Sequence, residues 1–170
     1  LESYFKVHPL IPEGNIKLTF AYYTSISEIY YQKSQFDKAL AVLTPLLKDT
    51  TNIGTFTKVR LLQNIAGNYV QKKMPEKSFP IHKEILKLVK KENDIREIWW
   101  TKNRLANDYF RLGDAHKAID SALAVREFCI KNDLHQLLFN NTINLSTYYH
   151  AIGDIKNAIT YRKNALEYST

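Results

Sequence analysis

The side chains best suited to chemistry are five histidines, His8, His82, His116, His135 and His150, and the single cysteine, Cys129. Acid–base or metal chemistry would need several of them to converge with carboxylates at ligand spacing. Their spacings are unrelated, and in His82-Lys83-Glu84 the outer pair, two residues apart, points to different faces of a helix. The histidines are therefore read as surface helix residues, and Cys129 as a small buried or half-buried hydrophobe. One cysteine excludes an internal disulfide and a Cys-based zinc cluster. No Gly-rich phosphate loop, HExxH pair, nucleophile elbow or dinucleotide fingerprint occurs. No catalytic residue, metal or cofactor is assigned, and the chain is expected not to be an enzyme.

Charge is the next candidate for function. The 24 Lys and Arg exceed the 17 Asp and Glu, a net charge of 24 − 17 = +7. Ten of those cations and five of the acids lie between Lys72 and Arg104, with Lys83, Lys87, Lys90 and Lys91 in one predicted helix. Such a stripe gives an electrostatic footprint for nucleic acid. Glu76, Glu84 and Glu92 interrupt it, however, and no reading motif accompanies it. The expectation is a solvated convex face or contact with an acidic partner domain, and not nucleic-acid binding. No apolar run approaches the roughly 18 residues that span a bilayer, and residues 1 to 15 lack a signal-peptide layout, so the segment is read as soluble. Because it starts at Leu1, it is expected to be a piece of something longer. The sequons Asn140-Asn141-Thr142 and Asn144-Leu145-Ser146 fall inside a predicted helix and are treated as chance.

What positions the polar residues is a repeat. With 45% hydrophobic residues and only five Gly and five Pro among 170, the chain has a core and few turns, hence long helices. A small residue, an aromatic three later and a small residue nine after that recur as Ser27, Tyr30 and Ala39; Ala66, Tyr69 and Ser78; Ala106, Tyr109 and Ala118; Ser146, Tyr149 and Ala158. The offsets are 39, 40 and 40 residues, and a large aliphatic, Ile26, Ile65, Leu105 or Leu145, precedes each copy. Repeats that each bury one face must stack closely, and small residues at the crossings let their backbones approach.

This frame resembles the tetratricopeptide repeat, whose first helix carries Leu-Gly-x-x-Tyr and whose second begins near a small residue nine positions after the Tyr. The resemblance covers residues 18 to 170. Leu112-Gly113-Asp114 and Ile152-Gly153-Asp154 place Gly at a left-handed helix end and Asp at the next N-cap. Pro75 sits in the first turn of the second helix of its pair. The sequence departs from the family in its early aromatic, here Tyr23, Leu62, Lys102 and Thr142, and in lacking the Pro that closes each unit. Units of about 40 residues instead of 34 let the second helix continue, as over Ser78 to Lys91. Such length is similar to the repeats of bacterial signalling regulators and of kinesin light chain. The expected fold is all-α, a right-handed α-solenoid of four helix pairs, 16–54, 55–94, 95–134 and 135–170, after the tail of a preceding helix and a loop over 1–15.

The resemblance implies a concave groove, lined by the first helix of each pair, that receives extended or helical peptides. Trp100, Asn103, Asn107 and Arg111 fall on one predicted face, with Phe110 at its border. Matching positions are Thr24, Glu28, Tyr31 and Gln32; Arg60, Gln63, Gly67 and Gln71; and Asn140, Ile143, Thr147 and His150. The candidate groove residues are Tyr31, Arg60, Gln63, Trp100, Asn103, Asn107, Phe110, Arg111, Asn144 and His150, while Trp99 is assigned to core packing. Chaperone-binding members grip a terminal carboxylate with a Lys, Asn, Asn, Lys and Arg set. Here Asn64 and Arg104 match, but Thr24, Glu28 and Trp100 occupy the other places, and a glutamate repels an incoming carboxylate. No such clamp is expected.

The leading function is thus a protein- or peptide-binding scaffold. The second reading is a partner- or ligand-sensing domain of a larger bacterial signalling protein. Leu1, Tyr4, Phe5 and His8 lie on one helical face before Pro9. Tyr161, Ala165, Leu166 and Tyr168 leave an uncapped apolar stripe that points to a continuing array, a docked domain or self-association. Replacing Ala106 with Phe should overpack its helix crossing and lower stability by about 1–3 kcal/mol, read from the denaturation midpoint.

Overall fold

A computed structural model of the chain describes residues 15–168, apart from the side chains of 49, 51 and 52. The helix expected over Leu1, Tyr4, Phe5 and His8 lies outside the described residues. Every described element is helical: α1 Ile16–Gln32, α2 Phe36–Leu43, a 3-10 helix Thr44–Asn52, α3 Thr55–Gln71, α4 Pro75–Lys91, α5 Ile95–Arg111, α6 Ala115–Lys131, α7 His135–Ala151 and α8 Ile155–Glu167. The fold is all-α, built of helical hairpins of the tetratricopeptide type.

The turn inside each hairpin has three residues, and the middle one is left-handed in all four: Ser34 (φ 57°), Lys73 (57°), Gly113 (92°) and Gly153 (81°). The following N–H then reaches back to the carbonyl of the repeated Tyr. Gln35 bonds Tyr30 at 2.8 Å, Met74 bonds Tyr69 at 3.0 Å, Asp114 bonds Tyr109 at 2.9 Å and Asp154 bonds Tyr149 at 3.0 Å. This closes the orphan carbonyls of the first helix. Asp114 and Asp154 next accept the N–H of Lys117 and Asn157, each at 3.0 Å, and so start the second helix. Those bonds from Asn157 hold the Asp154 carboxyl below its ordinary value. Between hairpins Asp94 does the same for α5 through the N–H of Glu97 at 3.0 Å.

The repeated Tyr also carries a cation that the sequence frame did not single out. Lys38, Lys77 and Lys117, each eight residues after its Tyr, lie over the rings of Tyr30, Tyr69 and Tyr109 at 5.8, 5.4 and 4.6 Å. The ammonium sits on the electron-rich face of the ring and ties the second helix to the end of the first. In the fourth hairpin Asn157 stands in that place, and Tyr149 instead stacks on Tyr161 at 5.4 Å.

The chain divides into two compact units that part between Leu88 and Val89, inside α4. In the first, Phe20, Leu40, Leu43, Leu46, Leu61 and Ile65 form an aliphatic core, with Tyr69 and Ile81 against it. The second helix of the first pair does not continue as a regular α-helix. Thr44-Pro45 breaks it into the 3-10 segment, because Pro45 has no N–H to donate and Thr44 Oγ1 bonds the Leu40 carbonyl at 2.9 Å. Lys72, at the end of α3, pairs with Asp37 in the first turn of α2. In the second unit Ala106, Ala118, Ile119, Ala122, Leu145 and Tyr148 make one cluster, and Val125, Cys129, Leu137 and Leu138 another. The first small residues, Ser27, Ala66, Ala106 and Ser146, and their partners Ala39, Ser78, Ala118 and Ala158 are all buried.

Left-handed backbone is strained for residues with a Cβ. Lys73→Gly should therefore raise stability by about 0.5–1 kcal/mol, whereas Gly113→Ala should lower it by about 1 kcal/mol, although nothing lies near the added methyl. Urea denaturation of the two variants measures both signs.

Candidate functional site

The first helices of the hairpins are each packed on two sides, which leaves one narrow row of side chains open. In the first unit that row joins α1 and α3. Tyr31 Oη accepts a hydrogen bond from Gln71 Nε2 at 2.8 Å, and the Tyr31 ring meets Phe36 edge-on at 5.6 Å. Gln32 Nε2 donates to Glu28 Oε1 at 3.2 Å, and Thr24 Oγ1 to the Phe20 carbonyl at 2.7 Å. Arg60 is exposed and lies 5.9 Å over the ring of Phe56, itself exposed; Gln63 is half-buried. The face combines one glutamate, amides and a phenol, and its side chains are largely spoken for by their neighbours.

In the second unit the open row on α5 runs through Trp100, Arg104, Asn107 and Arg111, not through Asn103. Asn103 is buried, and its Oδ1 accepts a hydrogen bond from Asn141 Nδ2 on α7 at 3.0 Å. The same Nδ2 donates its second hydrogen to the Ala122 carbonyl on α6, also at 3.0 Å. These bonds join α5, α6 and α7, so Asn103 belongs to the packing between helices and the expectation that it lines a groove is corrected. Trp100 is half-buried against the Val125, Cys129, Leu137 and Leu138 cluster and forms the margin of the row. Arg104 takes the place assigned to Asn103. Its Nη1 bonds Glu97 Oε1 at 2.6 Å, and Thr101 Oγ1 donates to the same oxygen at 3.3 Å. Arg111 Nε donates to Asn107 Oδ1 at 3.4 Å and stays exposed.

On α7 the matching row is Asn140, Asn144, Thr147 and His150; the first two are half-buried, the last two exposed. Phe110 does not stand free at the border: its ring packs on Tyr148 with centroids 4.7 Å apart. Tyr148 is fully buried and its hydroxyl has no hydrogen-bond partner among the described residues. Burial pushes that phenol well above its usual range, opposed by Arg111 and reinforced by Asp108. Trp99 stacks on Phe128 at 4.1 Å, and Lys102 caps its other face at 3.5 Å from the centroid. Burial lowers the Lys102 pKa, and nearby Lys90 adds to the effect. At the position where the repeat pattern has an early aromatic, this chain thus has a Lys that packs on Trp99.

Of the remaining candidates, His82 departs from the expectation of a surface position: it is buried, at the place in the repeat where Leu43 and Ala122 are buried too. Among the described residues no three His, Cys, Asp or Glu come together as metal ligands, and no helix is long and apolar enough to cross a membrane. In the basic stretch of α4, Glu84 pairs with Lys58 at 2.8 Å, and Lys83 lies 5.2 Å over Phe79.

No family model matches the chain, and no curated protein matches it in sequence. Solved structures do share its fold. The apo form of RapI superposes with a TM-score of 0.86 at 17% identity, over 99% of this chain and 62% of that one. A Rap protein complexed with competence and sporulation factor gives 0.75 at 16% identity, over 92% of this chain and 44% of that one. A signal transduction ATPase with numerous domains and a tetratricopeptide repeat sensor, from Pyrococcus horikoshii, gives 0.80 at 14%, over 92% of this chain and 25% of that one. The chain thus spans less than two thirds of the length of each, and the likeness is one of fold: a tetratricopeptide-like helical-repeat solenoid.

The buried amide pair gives a direct test. Asn103→Leu leaves one Asn141 hydrogen without an acceptor in a closed interior and should lower stability by about 1–3 kcal/mol. The double variant Asn103→Leu, Asn141→Leu should recover part of that loss, and a double-mutant cycle from denaturation curves gives the coupling.

Proposed function

We propose that the chain is a protein- or peptide-binding module whose ligand lies along the open rows of the first helices. The observation that carries this reading is the row on α5 and α7, where Arg104, Asn107, Arg111, Asn144, Thr147 and His150 are held on helices whose other sides are packed. Guanidinium, amide and hydroxyl groups in a fixed line suit a peptide backbone and its acidic side chains, and rigid helices reduce the ordering cost of binding. Trp100, half-buried at the margin, adds apolar surface for a ligand side chain. Arg111 is bonded to Asn107 within the row and Arg104 to Glu97 beside it, an arrangement that suits recognition more than catalysis.

The neighbours support the same reading. One was solved with competence and sporulation factor bound, and another contains a repeat described as a sensor. The latter favours a second reading, in which the module senses a partner within a larger signalling protein. Both readings use the same rows.

The triple variant Arg104→Ala, Asn107→Ala, Arg111→Ala should keep the helical spectrum of the wild type and reduce capture of its main partner roughly tenfold or more, as expected when hot-spot side chains are lost. Affinity capture with quantitative mass spectrometry compares the two baits. Equal capture by a folded triple variant would remove the groove assignment.

A further inference from the structure

A glycine inside a helix weakens it relative to alanine, so its presence there calls for a physical reason. Gly67 lies within α3, one turn before the last residue, Gln71. Close packing is the usual reason, and it does not apply: a Cβ built on Gly67 meets no atom within 4 Å. The helix crossing is served instead by Ala66, which is fully buried. The fold does not require glycine either, because the same place in the repeat holds Glu28, Asn107 and Thr147 in the other hairpins. What Gly67 leaves is bare helix backbone facing open space, which lets a ligand approach closely.

The neighbouring groups indicate what would lie there. The Gln71–Tyr31 hydrogen bond of 2.8 Å joins α3 to α1, and one turn earlier on each helix stand Gly67 and Glu28. Glu28 is exposed and is the one acid on α1 and α3 together. Its Oε1 accepts from Gln32, which leaves most of the carboxylate's accepting capacity unused. Lys58 and Lys72, on and beside α3, pair with Glu84 and Asp37 instead. We infer that Gly67 and Glu28 form a subsite for an arginine side chain of an extended peptide. The alkyl stem lies on the bare backbone, the guanidinium makes a two-pronged ion pair with Glu28, and the Tyr31 ring flanks it. The inference rests on the peptide-binding reading above and adds to it a place that selects a cation, whereas the row on α5 and α7 carries arginines of its own.

The probe is a displayed library of random octapeptides selected on the 170-residue chain, with the selected peptides remade in arginine and citrulline forms. The selected peptides should carry an arginine whose replacement by citrulline, which keeps the shape and removes the charge, weakens binding about fivefold or more in fluorescence anisotropy. General attraction cannot produce that preference, because the chain's net charge of +7 repels cationic peptides. Glu28→Gln should abolish the difference between the two forms. Gly67→Leu should weaken binding about fivefold or more while raising the thermal midpoint by about 2–4 °C, since leucine is the better helix former. Peptides that lose binding in the Arg104→Ala, Asn107→Ala, Arg111→Ala variant but are indifferent to citrulline, Glu28→Gln and Gly67→Leu overturn the subsite and leave the binding reading in place. Selection of no peptide removes both. A lower midpoint for Gly67→Leu also overturns the subsite, because the glycine would then serve packing.

Discussion

The structure depends on one steric constraint: each first helix must bury two of its sides at once. A helix with two covered sides needs small residues at the crossings, or its neighbours stand too far away to exclude water. Ser27, Ala66, Ala106 and Ser146 meet that need on the first helices, and Ala39, Ser78, Ala118 and Ala158 meet it on the second. Ser146 goes further, donating from Oγ to the Ala158 carbonyl at 2.9 Å, a contact available only to a short side chain at close approach. The same constraint sets what remains for binding. With two sides closed, each first helix has a single row of positions left, spaced by one or two turns.

The two units satisfy the constraint with different mixtures of groups, although the first also buries Asn68, Ser78 and His82. The first has an aliphatic core, with Leu40, Leu43, Leu46, Leu61 and Ile65 meeting Phe20. The second buries polar groups between its helices, among them Thr101, Asn103, Asp108, Asn141 and Thr142. Thr142 returns its hydroxyl to the Leu138 carbonyl at 2.7 Å, and the Asn103–Asn141 bond crosses from α5 to α7. Apolar contacts tolerate small shifts in register, whereas an amide pair holds only at one register. The second unit therefore has its helix spacing fixed by directional bonds as well as by packing.

The frame of small residue and Tyr was legible because it reflects backbone distance, which side-chain type reports directly. The turns at Gly113 and Gly153 were legible for the same reason. Their counterparts Ser34 and Lys73 were hidden, since neither residue advertises a left-handed conformation. The open row was half legible. On a helix of 3.6 residues per turn, positions four and seven on from Trp100 stay within about 40° of it, while the position three on turns about 60° the other way. That difference carries Asn103 into the neighbouring helix and leaves Arg104 outside, and no pattern within α5 shows on which side the neighbour lies. The Lys over the Tyr in the first three hairpins was hidden, because the contact joins two helices and spacing within one helix does not report it. The break after Leu43 required weighing Pro45 against an otherwise helical apolar pattern.

Cys129 has a consequence of a different kind. It is the one thiol in the sequence, it is fully buried beside Val125, Leu137 and Leu138, and burial pushes its pKa up to about 11. A thiol reagent can reach it only when the contact between α6 and α7 opens, and the exposed thiol then regains its ordinary acidity. Its alkylation rate is therefore a clock for that opening: when reclosing outpaces the reagent, the rate is the open fraction multiplied by the reactivity of a free cysteine. The second unit thus carries its own reporter of breathing, at the interface that its buried amides hold in register.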